Sequence, residues 1–209
     1  MKSAVILLCL LLAGCLGTQK RAPLQVITAP PAAVKSTPEV AIDRQLTVAL
    51  PSAAAMFDGR RVVARHGNGE LAYLSGVSLP DSAPALVRDA LIFELQRAGF
   101  RAVERQGNGL RGDLAVNLQL QRFEVDYSDS RQPRGRVHLQ VLLIDSHSGR
   151  ALGSRGFSAE RPSAASDAQQ GVRALLAAST EVLEQASDWL VDAAAASAPA
   201  VSKSSNTQN

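Results

Sequence analysis

Apolar and polar residues alternate most clearly between residues 113 and 127. Leu114, Val116, Leu118 and Leu120 fall on one side, and Ala115, Asn117, Gln119 and Gln121 on the other. A period of two is that of a strand with one buried face. The phase then changes: Phe123, Val125 and Tyr127 are apolar, while Arg122, Glu124 and Asp126 are polar. One extra residue near Gln121-Arg122 would return both halves to the same face, so the pattern predicts a β-bulge there. Val137 to Asp145 is the next strand, with Val137, Leu139, Val141 and Leu143 on one face. Leu142 and Ile144 make its far end apolar on both sides, which predicts a central position. Ser146-His147-Ser148-Gly149 then turns the chain into a strand over Ala151 to Glu160.

Earlier segments are shorter. Gln45 to Leu50 is an apolar strand candidate. Arg61 to Arg65 and Glu70 to Leu74 flank His66-Gly67-Asn68-Gly69, a hairpin turn signal. A helix follows, capped by Asp81 or Ser82, with Pro84 in its first turn and Gly99 as its stop. Leu86, Val87, Ala90, Leu91, Leu95 and Ala98 make its apolar face, and Phe100 to Glu104 leads into a strand. A second helix is expected from about Asp167 to Asp192, capped by Ser166. Val172, Leu175, Leu176, Ser179, Val182, Leu183, Ala186, Trp189 and Leu190 repeat along it in a three-four pattern. Trp189 lies on that stripe, which points to core packing. Together these elements predict a single α+β domain over residues 45–192: a mainly antiparallel sheet with two helices packed on one face.

The segments outside that domain lack periodicity. Residues 15–44 carry Pro23, Pro30, Pro31 and Pro38 among Ala, Thr, Ser and Lys, a composition that favours extended, solvated chain. They read as a flexible tether. Residues 193–209 are Ala- and Ser-rich without large apolar side chains apart from Val201, and read as a disordered tail. The first residues are different again. Lys2 precedes an apolar run that ends in Leu11-Leu12-Ala13-Gly14-Cys15. The run is too short to span a bilayer, which needs about 20 apolar residues. Residues 1–14 therefore read as a secretory leader. Leu-Ala-Gly-Cys resembles the bacterial lipobox, in which cleavage precedes the Cys and its thiol carries a lipid, such as palmitate. Cys15 is then the lipidated N-terminus. Leu16 follows it, where enteric inner-membrane lipoproteins carry Asp, so the expected location is the outer membrane, lipid-anchored and facing the periplasm.

Composition narrows the chemistry. The 209 residues carry a formal charge of +3, with arginines scattered rather than striped, which argues against a nucleic-acid partner. The only cysteines are Cys9, in the leader, and Cys15, so the domain has none for a disulfide. Gly107-Asn108-Gly109-Leu110-Arg111-Gly112 matches a dinucleotide-binding string but opens a strand, not the helix that would receive a pyrophosphate. His66, His138 and His147 have no ligand spacing, so no metal or cofactor is expected beyond the lipid on Cys15. Asp89, Glu94, Glu181 and Glu184 read as solvated helix faces, and no nucleophile elbow or triad context exists. No catalytic site is expected, and the chain reads as a non-enzyme.

Several runs, in order, resemble the ABC-type transport auxiliary lipoprotein family. They are Arg61-Val62-Val63-Ala64-Arg65, Gly69-Glu70-Leu71-Ala72-Tyr73, Pro84 to Leu91, Leu118 to Val125 and Asp145 to Leu152. The resemblance spans roughly residues 46–191. It implies an auxiliary, docking lipoprotein of an ABC lipid-transport system, with a mammalian-cell-entry (MCE) domain protein as its partner across the periplasm. It leaves a homo-oligomer open. Where the family commonly has a Trp before the first helix, this chain has Leu79, which either fills the core or tunes a contact. Val77, Ser78, Leu79, Pro80 and Asp81 are accordingly the expected partner contact. Three other readings stay open: a periplasmic lipid-binding carrier, an assembly or activator lipoprotein for another envelope machine, and an enzyme with a site assembled from dispersed residues.

Overall fold

The computed structural model describes residues 24–27 and 42–197. The leader, Cys15, most of the tether and the tail from residue 198 lie outside the described residues. The strands in chain order are β1 (Gln25–Val26), β2 (Ile42–Val48), β3 (Ser52–Ala53), β4 (Val63–His66), β5 (Leu71–Tyr73) and β6 (Val77–Ser78). Helix α1 (Ala83–Arg97) and β7 (Phe100–Arg105) come next. The long strands β8 (Leu114–Tyr127), β9 (Arg134–Asp145) and β10 (Ala151–Pro162) precede helix α2 (Ala168–Ala196).

β8 organises the sheet. Along one edge it pairs antiparallel with β9, which pairs antiparallel with β10. Along its other edge it takes three successive parallel partners: β2 against Leu114–Val116, β3 against Gln119–Leu120, and β4 against Glu124–Tyr127. β7 lies parallel to β2 on that side, and β5 closes a hairpin on β4. The eight-stranded sheet is therefore mixed, and the expectation of a mainly antiparallel sheet is corrected in that half. The reason is connectivity. After β2 the chain passes through a hairpin and α1 before β7 returns beside it, and a long crossover of this kind delivers parallel neighbours.

The bulge falls where the phase change predicts it. Leu120 pairs with Leu139 and Arg122 with His138, so Gln121 is the extra residue. Leu118, Leu120, Phe123 and Val125 all stay buried as a result. The hairpin turn forms through Gly69 at φ 82°, with His66 N–H donating to Glu70 O at 2.9 Å. Ser82 caps α1 by accepting from Ala85 N–H, and Gly99 ends it at φ 90°. Asp167, not Ser166, caps α2, accepting from Gln170 N–H at 2.9 Å. α2 also runs past Asp192 to Ala196, because Ala194 is fully buried and continues the stripe.

One aliphatic core joins these layers. Leu91 and Leu95 of α1 and Val172, Leu175, Val182, Leu183, Ala186 and Leu190 of α2 pack with the inward leucines and valines of β8 and β9. α2 approaches β9 closely enough that a Cβ on Gly135 would meet Leu175 N at 2.1 Å. Trp189 is partly buried at the rim of this core, its ring 5.9 Å from that of Phe157.

Candidate functional site

The residues from Gly76 to Ser82 cross from the hairpin to α1. Gly76, at φ 75°, turns the chain into β6. Val77 and Ser78 are 5% exposed and Leu79 is fully buried. Leu79 N–H donates to Arg60 O at 2.9 Å, and Arg60 Nε donates to Leu79 O at 3.0 Å, which stitches this run to the loop before β4. Ser78 Oγ is satisfied by Leu79 O at 3.0 Å. Leu79 thus belongs to the core cluster, and between Val77 and Asp81 the exposed residues are Pro80 and Asp81. Asp81 accepts from Ser82 N–H at 2.6 Å, which holds its carboxylate beside the start of α1.

Part of the expected tether lies on this run. β1 pairs in parallel with β6, Gln25 N–H donating to Gly76 O at 2.9 Å and Ile27 N–H to Ser78 O at 3.0 Å. Ile27 is 7% exposed and forms one wall of an apolar groove of about 140 Å³ between the helices, with Leu86, Val87, Phe123 and Leu183. Backbone hydrogen bonds contribute about 0.5–1.5 kcal/mol each and a buried isoleucine about 1.5–3 kcal/mol. Fixing four residues costs about 1–2 kcal/mol apiece. The two sides nearly cancel, so β1 is a marginal contact.

The sheet carries a second feature that the alternation did not disclose. Glu124 is fully buried and Asp126 is 4% exposed, although both occupy the polar phase of β8. Parallel pairing places Arg65 of β4 beside them, and antiparallel pairing places Arg136 of β9 opposite Glu124. Arg65 makes a forked contact with Glu124 at 2.8 and 3.1 Å, and Arg122 approaches the same carboxylate at 3.4 Å. Arg136 bridges Asp126 to Glu160 of β10. The Glu124 hydrogen bond raises the pKa of Arg65. Burial alone would push Asp126 up, but Ser128, then Arg136 and Arg65, outweigh it and hold the carboxyl below the ordinary carboxylate range. The only sequence signal was cross-strand arithmetic between residues 59 and 12 positions apart, which needs the register first.

The remaining candidates are dispersed. Asp89 is held by Arg105 at 2.8 and 3.1 Å, tying α1 to β7, and Glu94 pairs with Arg97 at 3.3 Å. Glu181 pairs with Arg161 at 2.8 Å. His66 stacks on Tyr127 at 6.2 Å, His138 sits on β9 and His147 in the β9–β10 turn. Among the described residues no three His, Cys, Asp or Glu side chains stand close enough to hold a metal ion. Gly107 and Gly109, at φ 95° and 89°, curve the β7–β8 loop over an open cleft beside the β9–β10 turn. No described helix is long and apolar enough to cross a membrane.

These features define an α+β domain whose distinctive surfaces are an exposed Pro80-Asp81 corner, a clipped N-terminal segment and a groove between helices. The sequence model of the ABC-type transport auxiliary lipoprotein component family matches residues 25–187, and the chain belongs to that family. It is an auxiliary, lipoprotein-type component of ABC-type transport. Among solved structures it is similar to a Xanthomonas campestris protein of the DUF330 family: 28% identity, TM-score 0.69, covering 83% of this chain and 95% of that one. It also shares its fold with an uncharacterised protein at 16% identity and TM-score 0.59, covering 72% of this chain and 94% of that one. No curated protein matches.

Proposed function

We propose that this chain is a non-enzymatic outer-membrane lipoprotein, anchored through lipid on Cys15, that docks to an MCE-type protein of an ABC lipid-transport system across the periplasm. The observation that carries this reading is the family match over residues 25–187. The filled aliphatic core supports docking over carriage. The apolar groove between the helices, about 140 Å³, is smaller than the 300–1,000 Å³ of ordinary ligand sites, and the cleft of about 570 Å³ beside the β9–β10 turn is open and bordered by Gln106, Arg111 and His147. Asp81 and Pro80 are the proposed contact, since they are the exposed members of the Val77–Asp81 run.

Immobilised full-length protein tests this against a purified MCE-type partner. Saturable binding, weakened by Pro80→Ser with Asp81→Lys while the melting temperature holds, is the expected result. Co-purification of phospholipid without any partner affinity would replace docking with the carrier reading.

A further inference from the structure

Residues 24–27 divide what the sequence reads as one continuous tether. On one side lie residues 16–23, eight positions after Cys15; on the other, residues 28–41 lead to β2. We propose that Leu24–Ile27 is a reversible clip that gives the membrane tether two lengths. The proposal rests on the reading of Cys15 as the lipid anchor. With the clip closed, eight residues at about 3.3–3.6 Å each limit the span from anchor to domain to under about 30 Å. With it open, residues 16–41 are available, and the limit rises to about 90 Å.

The contact is built to open. β1 and β6 form a two-stranded sheet of their own, two residues long, outside the eight-stranded sheet. Leu24 and Val26 leave 62% and 51% of their surface in water, and Ile27 alone is buried. Pro23 on one side and Pro30 and Pro31 on the other have no N–H to donate to a ladder, and each restricts the residue before it. Ile27 also leaves space in its seat, since the groove it walls still holds about 140 Å³. Leu86, Val87, Phe123 and Leu183, which line the groove beside Ile27, all come from the domain. Closed, the clip holds the domain near its own membrane; open, it lets the same domain reach a partner further across the periplasm.

Spin labels at Lys20→Cys and Ala177→Cys in the detergent-solubilised full chain read the distance between tether and domain directly. Incorporation of fatty acid at Cys15 is measured on the same preparation. The expected result is a short and a long distance population. Ile27→Asp should lose the short population, and Ile27→Phe, which fills the groove, should shift the balance toward it. Unchanged thermal unfolding of the domain in Ile27→Asp would show that the clip and not the core has been altered. A single distance population common to all three chains would overturn the clip. Two populations in a chain that takes no fatty acid at Cys15 would overturn the tether through its anchor and leave the intramolecular contact as a structural detail.

Discussion

Gly135 is the position where a single atom decides most. A Cβ there would sit 2.1 Å from Leu175 N and 2.3 Å from its Cα, so the clash is with the backbone of α2 and no rotamer relieves it. Gly135→Ala should cost about 3 kcal/mol, the upper end of ordinary overpacking, read as a fall in the denaturant midpoint. An unchanged midpoint would mean that α2 can stand off β9. Leu183→Ala leaves a cavity next to the existing groove, and about 2–3 kcal/mol is expected from the range for such deletions. Asp126 brings pH into the same scale. Its folded pKa is depressed, so its contribution is present above the ordinary carboxylate pKa and is lost as pH falls through the folded value. Asp126→Asn should therefore unfold more easily than the parent at pH 7, with the gap closing below about pH 4. A gap that persists in acid would trace the loss to packing, not charge.

At the scale of elements, local pattern was a good guide to existence and a poor one to direction. The bulge at Gln121, the hairpin through Gly69 and the apolar stripe of α2 were all legible, because each depends on neighbours in sequence. The parallel pairings of β2, β3 and β4 with β8 were not, since period-two alternation is the same for either direction. Burial of Glu124 was hidden for the same reason: its partner Arg65 is 59 residues away. The family difference at Leu79 points to Val77, Ser78 and Leu79 as contact residues but carries no information about which way a side chain points, and all three are buried. The ends of the domain moved as well. β2 starts at Ile42, paired with Phe100, and α2 keeps Ala194 in the core. A fragment of residues 42–197 should therefore be more stable than one of residues 45–192 by about 1–2 kcal/mol, or roughly 2–8 °C in melting temperature. Identical melting would show that Ile42 and the last turn of α2 add nothing.

For the whole molecule, the proposed lipid anchor at Cys15 and the domain make separable contributions. Membrane attachment is proposed to rest on covalent lipid at Cys15, on the Leu-Ala-Gly-Cys run. One acyl chain holds a protein only weakly, whereas two or more give stable attachment, so a change at the acceptor thiol should have an all-or-none effect on fractionation. Cys15→Ser removes that thiol while leaving residues 42–197, and hence the fold, untouched. The expected outcome is loss of metabolically incorporated fatty acid, with the protein either uncleaved or released from the envelope membrane. The soluble form should still bind the MCE-type partner in vitro, because the proposed contact at Pro80 and Asp81 is formed by the domain alone. Label retained on the serine variant would refute lipidation at Cys15. Loss of partner binding along with the label, in a domain that melts normally, would show instead that the lipid is part of the docking surface.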